Sequence, residues 1–583
     1  MNSTVDTKVP RFDPETFGSE IRIARIGTGS VGGKAVGLCQ IRDEILPRFD
    51  GAEFEGVTVD VPLAVVVATD VFNEFVERNR LWDLALSDEP DTEKAHGFQR
   101  GELPEEIREK LRALLGLMVN PLAIRPSSYL EDIQKRAFAG IYTSKMIPNT
   151  EERAEVRYRR LAGALKLAWA STFFEGAMVS RRASGIELDA EKMAVIIQEV
   201  TGERHDGRFY PTISAVARSY NHYPVPGNKR EDGVVTLALG LGKSITDGDH
   251  VWSYGPHRAT APPPFKSTGD LLKYTQNSFW AINVGDPPPA DPLRETDCLV
   301  RQGIKDAEAD GTLRFLASTY DAASDRLRSG IGEPGPRALT FAPLLEARDL
   351  PFTPVVEKLL EISCNVVNGE AEVEFAAILD RENGMPMHLA FLQLRPMLTP
   401  GERSPVEDGD LDDASIVVAS DNCLGHGSRD DLTDVVYLRP QYFDRGQTRM
   451  MASELDAVNR GLVEEGKHGI FIGLGRWGTT DDRFGVPVKW GQISAARVIV
   501  EATMPDAPTN LSHGTHFFHR LLSNQVLYMS VEHDGPGRID YDWLDGQESV
   551  WESRNVRHVR VESPFEVRID CATRRGLIRH GEE

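Results

Sequence analysis

Apolar runs along the chain alternate with amphipathic stretches, a pattern that predicts a mixture of strands and helices. Residues 57–67 alternate and then run apolar, which predicts a buried strand, and residues 193–200 are continuously apolar, as is typical of strands buried on both faces. Residues 70–80 and 150–183 carry apolar residues at helical spacing, and residues 303–330 are also predicted to be helical. The pattern therefore predicts buried sheets covered by helices.

A different pattern, in residues 371–397, predicts two strands joined by a turn. Because successive side chains of a strand point to opposite faces, Glu372 and Glu374 share one face, and so do Gln393 and Arg395. In an ordinary hairpin, two carboxylates facing an arginine would form a cross-strand salt bridge. They would also suit Mg²⁺ bound to a nucleotide, which is usually held by one or two carboxylates plus phosphate oxygens.

The polar residues that follow Ile124 predict a site for a polyanion. A short apolar run would deliver Arg125 to the end of a strand, and Pro126 favours an extended conformation for that residue. A guanidinium group suits phosphate because its planar fork makes paired, charge-assisted hydrogen bonds. Further along, a turn at Gly140 would bring the backbone close to the same ligand, and Ser144 would add a hydroxyl donor.

Length and charge limit the classes of protein to consider. A chain of 583 residues is too long for one core. Lys and Arg total 66 against 89 Asp and Glu, and the resulting net charge of -23 disfavours general nucleic-acid binding without arguing against a local nucleotide site.

The five cysteines show no CxxC spacing, so no zinc or disulfide framework is expected and a reducing cytoplasm is favoured. The polar amino terminus predicts no signal peptide, and no apolar window predicts a membrane span.

Several segments resemble the pyruvate phosphate dikinase and phosphoenolpyruvate synthase family. The resemblance lies in GSVGGKAVGL at residues 29–38, IRPSSYLED at 124–132, FAGIYTS at 138–144 and the pair EVE and QLRP within 371–397. These motifs occur in the family's order. The resemblance implies a multidomain protein of the α+β/α/β class, with an ATP-grasp domain followed by a smaller α/β domain.

The resemblance also implies a role for each matching residue. It places Lys34, Arg125 and Arg395 on the phosphates of ATP, Gln198 beside the adenine, Glu374 and Glu372 on Mg²⁺, and Gln393 in the QxRP motif. Taken alone, Lys34 would fit a plain turn before a helix, and Gln198 would equally fit a residue that satisfies neighbouring backbone groups. Two positions depart from the family, because Pro126 replaces a serine and Lys243 stands where an acidic residue is usual.

Composition and resemblance together predict the domain boundaries. A flexible arm is expected at residues 1–17 and the ATP-grasp domain at 18–398, with an irregular, proline-rich insertion at about 255–300. A polar, acidic linker is predicted at 399–413 and an α/β domain at 414–583. The family's GGxTSHxAI motif is absent, so a partner chain or a second copy could supply what this chain lacks.

Histidines in residues 511–522 offer a candidate phosphoryl carrier. His516 follows a predicted helix start, where free N–H groups would favour an attached phosphate, and a phosphohistidine is the family's usual intermediate. The three-residue spacing of His513, His516 and His519 would also suit a metal. A third interpretation is that His516 is a buried, hydrogen-bonded core residue.

Three functions remain open from the sequence. The first is an ATP-dependent phosphotransferase that moves phosphate from Mg-ATP to a histidine, a small molecule or a partner protein. The second is an ATP-grasp ligase that activates a carboxylate as an acyl phosphate. The third is a nucleotide-binding regulatory module without turnover, which the departures at Pro126 and Lys243 would favour.

Overall fold

The structure is a computed structural model, and it describes residues 9–128, 142–183, 187–189, 191–221, 229–247, 249–259, 268, 271–272, 275–291, 293–346, 350–380, 385–397, 406–413, 415–424, 426–479, 485–503, 526–570 and 573–581. The chain divides into two compact units. Unit 1 consists of residues 1–133, 142–174 and 191–397, and unit 2 of residues 134–141, 175–190 and 398–583. Among the described residues, no helix combines the length and apolar character needed to cross a bilayer.

A five-stranded sheet in unit 1 is built from the most apolar segments of the chain. Its strands, in spatial order, are Ile23–Ile26, Ala64–Val67, Met193–Glu199, Leu122–Ser128 and Lys145–Ile147. The predicted buried strand at residues 193–200 is confirmed, because Met193–Glu199 lies at the centre of the sheet and is buried along nearly its whole length.

The prediction of one strand at residues 57–67 is wrong. Val57–Asp60 and Ala64–Val67 are separate strands that belong to different sheets. Pro62 lies between them, and since proline has no N–H to donate to a ladder, the chain can leave one sheet and enter the other there. Residues 57–67 are one segment of the sequence, but they contribute strands to two different sheets.

A six-stranded sheet in unit 1 carries the predicted hairpin. Its strands, in spatial order, are Trp252–Tyr254, Val234–Leu239, Ile213–Arg218, Ala371–Asp380, Met385–Pro396 and Val57–Asp60. One face belongs to the main core of the unit, where Val373 and Phe375 pack with residues of the helix Phe352–Val367. The alternation of side chains then places Glu372 and Glu374 on the other face.

Two helix predictions in unit 1 need correction. Residues 150–183 form not one helix but Ala154–Ala170, a turn of 3₁₀ helix and Glu175–Ala183, the last of which belongs to unit 2. Residues 303–330 are only partly helical, because the helix Ile304–Ala309 is followed by strands. Gly311, in the left-handed region at φ +79°, turns the chain after that helix.

The described part of unit 1 also contains helices and two smaller sheets. The helices are Gly33–Gln40, Thr69–Arg78, Trp82–Leu86, Asp91–Arg100, Glu105–Leu117, Ala154–Ala170, Lys243–Thr246, Ile304–Ala309, Ala342–Leu345 and Phe352–Val367. A three-stranded sheet contains Arg326–Ser329, Ala317–Asp321 and Arg337–Leu339, and a four-stranded sheet contains Leu299–Gly303, Ser278–Asn283, Arg208–Tyr210 and Glu203–His205.

The described part of residues 255–300, the segment predicted as an irregular insertion, contains regular structure. Ser278–Asn283 is an interior strand of the four-stranded sheet. The loop after it is held by the buried Lys145, whose Nζ donates to Asp291 O (2.6 Å), Arg294 O (2.9 Å) and Asp297 Oδ2 (2.8 Å). A buried ammonium with three acceptors fixes this loop despite its prolines.

Unit 2 is organised around a ten-stranded mixed sheet. Along its main path the strands are Asn422–Leu424, Leu527–Val531, Ala496–Ala502, Gly469–Leu474, His426–Leu438, Val556–Asp570, Arg575–Arg579, Ile416–Ser420 and Arg538–Ile539, and Ser549–Glu552 pairs with Val556–Asp570. Successive strands from Leu527–Val531 to His426–Leu438 are parallel. The helices Thr448–Glu464 and Tyr541–Asp545 also belong to this unit.

A buried carboxylate joins two long strands of that sheet. Asp434 is fully buried and accepts hydrogen bonds from Arg560 Nε (2.7 Å) and Thr433 Oγ1 (2.9 Å), while His558 Nε2 lies 2.7 Å from its Oδ1. Burial alone would raise the pKa of Asp434, but these partners lower it below its usual value. The carboxylate therefore stays charged in the interior of unit 2.

Candidate active site

Arg125 connects the two main sheets of unit 1. It lies within the strand Leu122–Ser128 rather than at its end, which corrects the prediction from the sequence. Its Nη1 donates to Leu392 O (3.3 Å) and Gln198 Oε1 (3.4 Å). Its Nη2 donates to Glu374 Oε2 (3.4 Å) and, by a short hydrogen bond, to Gln393 Oε1. One guanidinium therefore contacts both strands of the hairpin that the sequence singled out.

The two carboxylates of the hairpin are both paired with arginines. Glu372 lies opposite Arg395 in the strand register, and Glu374 lies opposite Gln393. Arg395 donates from Nη2 to Glu374 Oε1 (3.0 Å), and its Nε lies 3.4 Å from Glu372 Oε1. The predicted shared faces are therefore present, and the cross-strand salt bridge is one of their contacts.

The glycine-rich loop places Lys34 beside Arg125. Gly32 adopts φ +75°, and a Cβ at this position would overlap the backbone carbonyl of Ser127, so the loop packs directly on the strand that carries Arg125. Lys34, near the start of the helix Gly33–Gln40, donates from Nζ to Pro126 O (3.0 Å). The ammonium of Lys34 thus lies against the residue next to Arg125.

Thr69 and Asp70 hold the glycine-rich loop in place, and neither residue was predicted to belong to the site. Asp70 Oδ2 accepts from Thr28 N (2.7 Å) and Thr28 Oγ1 (2.8 Å), and Thr69 Oγ1 accepts from Ser30 N (3.0 Å). Burial opposes ionisation of Asp70, but hydrogen bonds from the Gly29 and Thr28 backbones lower its pKa. The sequence did contain a signal for this role, because a Thr-Asp pair at a helix start after an apolar strand is typical of residues that accept hydrogen bonds from backbone N–H groups.

Gln198 has a buried amide nitrogen for which the described residues provide no acceptor. The side chain is 2% exposed, its Oε1 accepts from Arg125, and its Nε2 has no hydrogen-bond partner among the residues that the structure describes. A role in satisfying nearby backbone groups would require such a partner. Since an unsatisfied buried donor costs about 1–3 kcal/mol, this amide is suited to a ligand acceptor.

Other predicted residues are not part of this cluster in the described structure. Ser144 directly precedes the strand Lys145–Ile147, which pairs with the strand of Arg125. Lys243 instead donates to Asp247 Oδ1 (3.1 Å), the residue that caps the end of its short helix Lys243–Thr246. Gly140 and His516, together with His513 and His519, lie outside the described residues.

Glu372 and Glu374 fit a metal ion whose other ligands come from a bound nucleotide and water. In the described part of the chain, no group of three or more His, Cys, Asp or Glu side chains could hold a metal ion. Glu372 and Glu374 offer two carboxylates on one face, which is what Mg²⁺ takes from a protein when phosphate and water supply the remaining oxygens. The residues present therefore fit Mg²⁺ in the company of a nucleotide.

Comparison with known proteins identifies the segment that holds Lys34, Arg125 and Gln198. Residues 28–253 match the family model described as pyruvate phosphate dikinase, AMP/ATP-binding domain. Over these residues the chain is similar to a dikinase AMP/ATP-binding domain, and the matched segment is here called the dikinase-type domain. The hairpin with Glu374 and Arg395 lies beyond the matched residues, and the contacts of Arg125 bring it to the dikinase-type domain.

Curated relatives resemble the chain over a similar length. They are phosphoenolpyruvate synthase of Aeropyrum pernix (27% identical over 240 residues), rifampicin phosphotransferase of Streptomyces sviceus (26% over 236) and the uncharacterized phosphotransferase YvkC of Bacillus subtilis (25% over 193). The alignments cover 37%, 37% and 32% of this chain and 25%, 23% and 20% of the relatives. This chain thus spans about a quarter of the length of each of the first two.

Proposed function

We propose that the chain is an ATP-dependent phosphotransferase that binds Mg-ATP between the two main sheets of unit 1. The observation that carries this proposal is the convergence on Arg125, where a cation from the dikinase-type domain lies 3.4 Å from Glu374 of the hairpin. The relatives, a phosphoenolpyruvate synthase and two proteins named as phosphotransferases, support the same class of reaction.

Binding of Mg-ATP would exchange the ion pairs of the site. Arg125, Arg395 and Lys34 would donate to phosphate oxygens, while Glu374 and Glu372 would hold Mg²⁺. The metal would supply charge neutralisation at the transferred phosphoryl group. Each arginine would exchange a carboxylate for phosphate, so little charge is left unpaired at any stage. Preorganised cations of this kind stabilise the charge that develops as the phosphoryl group moves.

The proposed acceptor is a histidine or a small molecule. His516 is the candidate within this chain, because the dikinase family uses a phosphohistidine. Incubation with ATP followed by mass analysis under alkaline conditions is expected to find phosphate on the peptide of residues 511–522. Absence of phosphohistidine from that peptide would leave an external acceptor, either a small molecule or a partner chain.

Product analysis with Mg-ATP distinguishes the proposed reaction from its alternatives. AMP plus phosphate would indicate dikinase chemistry, and ADP with a phosphorylated acceptor would indicate a simple kinase. ADP released only when a carboxylic acid and an amine are both present would indicate a ligase. Tight ATP binding without any product would indicate a regulatory module and would contradict the proposal.

Replacement of Gln198 by Met is expected to raise the KM for ATP about fivefold, which corresponds to the loss of about one hydrogen bond of 1 kcal/mol. The value of kcat should change less, because the amide is proposed to contact the base and not the phosphates. Steady-state kinetics would measure both constants. Gln99→Met is the matched control, since Gln99 donates to Gly163 O on the helix Ala154–Ala170, outside the site. An unchanged KM would contradict a base-binding role.

A further inference from the structure

Arg218 pairs with Glu372 from the strand on the other side. It is the last residue of Ile213–Arg218 and lies directly opposite Glu372 in the register of the six-stranded sheet. Its Nε donates to Glu372 Oε2 over 2.6 Å, and the two side chains are 10% and 9% exposed. This is one of the most buried ion pairs near the proposed site, and no sequence motif pointed to it.

The two oxygens of Glu372 therefore have different surroundings. Oε2 is held by Arg218, whereas Oε1 faces Arg395, whose Nε is 3.4 Å away. Arg218 and Arg395 lie on the strands that flank the strand of Glu372, so the three side chains form one row across the sheet. If phosphate takes Arg395, Oε1 loses its contact with that arginine while Arg218 still holds Oε2.

The negative charge of Glu372 affects Glu374, because the two carboxylates share one face of the sheet. Two carboxylates on one face repel each other, and repulsion would turn one of them away from a shared cation. The guanidinium of Arg218 offsets the charge of Glu372 and also fixes the orientation of the group. When one oxygen of a carboxylate is held by a hydrogen bond, its other oxygen is presented to a metal ion in a defined direction.

We propose that Arg218 is a positioning residue that aims Glu372 Oε1 at the divalent cation of the nucleotide complex. This inference rests on the proposed function, because it assumes that Glu372 and Glu374 hold Mg²⁺. Arg218 acts through Glu372 and contacts neither the nucleotide nor the metal.

The test is the affinity of the protein for Mn²⁺ in the presence of a non-hydrolysable ATP analogue, measured by electron paramagnetic resonance. Arg218→Met is expected to weaken Mn²⁺ binding about 10- to 100-fold, as is typical when the partner of a metal ligand is removed. Removal of a nearby positive charge would by itself tighten Mn²⁺ binding. Weaker binding would therefore show that Arg218 acts by orienting Glu372 and not through its charge alone. Arg218→Lys, which keeps a donor and the charge, should recover part of the affinity.

Two further variants complete the test. Arg208→Met is the matched control, because Arg208, on a strand of the four-stranded sheet, forms a comparable ion pair with Asp310 (2.7 Å), which follows the helix Ile304–Ala309. In an Glu372→Gln background, Arg218→Met should have little additional effect on Mn²⁺ binding, since residues that act through each other are not additive.

The outcomes separate this inference from the proposed function. Failure of the wild-type protein to bind Mn²⁺ with the analogue would overturn both. Normal binding by wild type together with unchanged or tighter binding by folded Arg218→Met would overturn the role of Arg218 alone, and so would an equal loss in Arg208→Met. If Arg218→Met does not fold, Arg218→Lys decides the question: binding measurably weaker than wild type supports the role, and wild-type affinity overturns it.

Discussion

Replacement of Arg395 by Met is expected to lower ATP turnover about 10²- to 10³-fold, the loss that follows removal of one preorganised contact to a developing charge. Arg395 is well placed for such a contact because it lies between Glu372 and Glu374, 3.4 Å and 3.0 Å from their oxygens. Once Mg²⁺ occupies the carboxylates, Arg395 would contact the phosphates. Release of nucleotide product at saturating Mg-ATP would measure the effect.

The Arg395 variant should remain folded. Glu372 keeps its pair with Arg218, and Glu374 keeps its pair with Arg125, so neither carboxylate is left without a cation. A thermal unfolding curve close to that of wild type is the control for folding, and Arg208→Met is the control for loss of an arginine elsewhere in unit 1. Full turnover in folded Arg395→Met would remove Arg395 from the reaction.

Replacement of Asp434 by Ala is expected to lower the free energy of unfolding of unit 2 by about 3–5 kcal/mol, the typical effect of removing one partner of a buried ion pair. The variant would leave His558 and Arg560 without their shared acceptor between two long strands. Hydrogen exchange of peptides from His426–Leu438 and Val556–Asp570 would report the change.

A neighbouring acid provides the matched control for Asp434. Asp431 lies on the same strand and pairs with Arg429 over 2.6 Å, but its side chain is 53% exposed. Asp431→Ala should therefore lower stability by about 1 kcal/mol or less. Similar effects of the two substitutions would contradict the assignment of Asp434 as a buried, charged anchor of the sheet.

The contribution of Asp434 should also depend on pH in a defined direction. Its pKa is lowered in the folded state, so the folded protein binds its proton less readily than the unfolded chain does. The stabilisation is thus fully present above the unfolded pKa of about 4 and is lost as the pH falls through the lower folded value. The difference in hydrogen exchange between wild type and Asp434→Ala should shrink over that acid range, and a constant difference would contradict this account.

The hairpin of the site could be predicted from local periodicity, because which side chains of a strand share a face depends only on residues that are close in sequence. The alternation of side chains was enough to place Glu372 with Glu374, and Gln393 with Arg395, on shared faces, and the register of the strands agrees. The order of the motifs also pointed to the dikinase-type domain, whose matched residues begin at position 28.

Contacts between distant segments could not be predicted in the same way. Arg125 and Gln393 are 268 positions apart, and the pairing of Arg218 with Glu372 spans 154. Periodicity reports that a residue is buried or shares a face but does not state which strand lies beside it. The same limit explains the error at residues 57–67, where one apolar run supplies strands to two sheets.

The most direct test of the central claim is a crystal structure of the protein with Mg²⁺ and a non-hydrolysable ATP analogue. The account predicts phosphate oxygens within hydrogen-bonding distance of Lys34, Arg125 and Arg395, with the metal bound by Glu374. A nucleotide bound elsewhere, with the arginines still paired to the carboxylates, would contradict it.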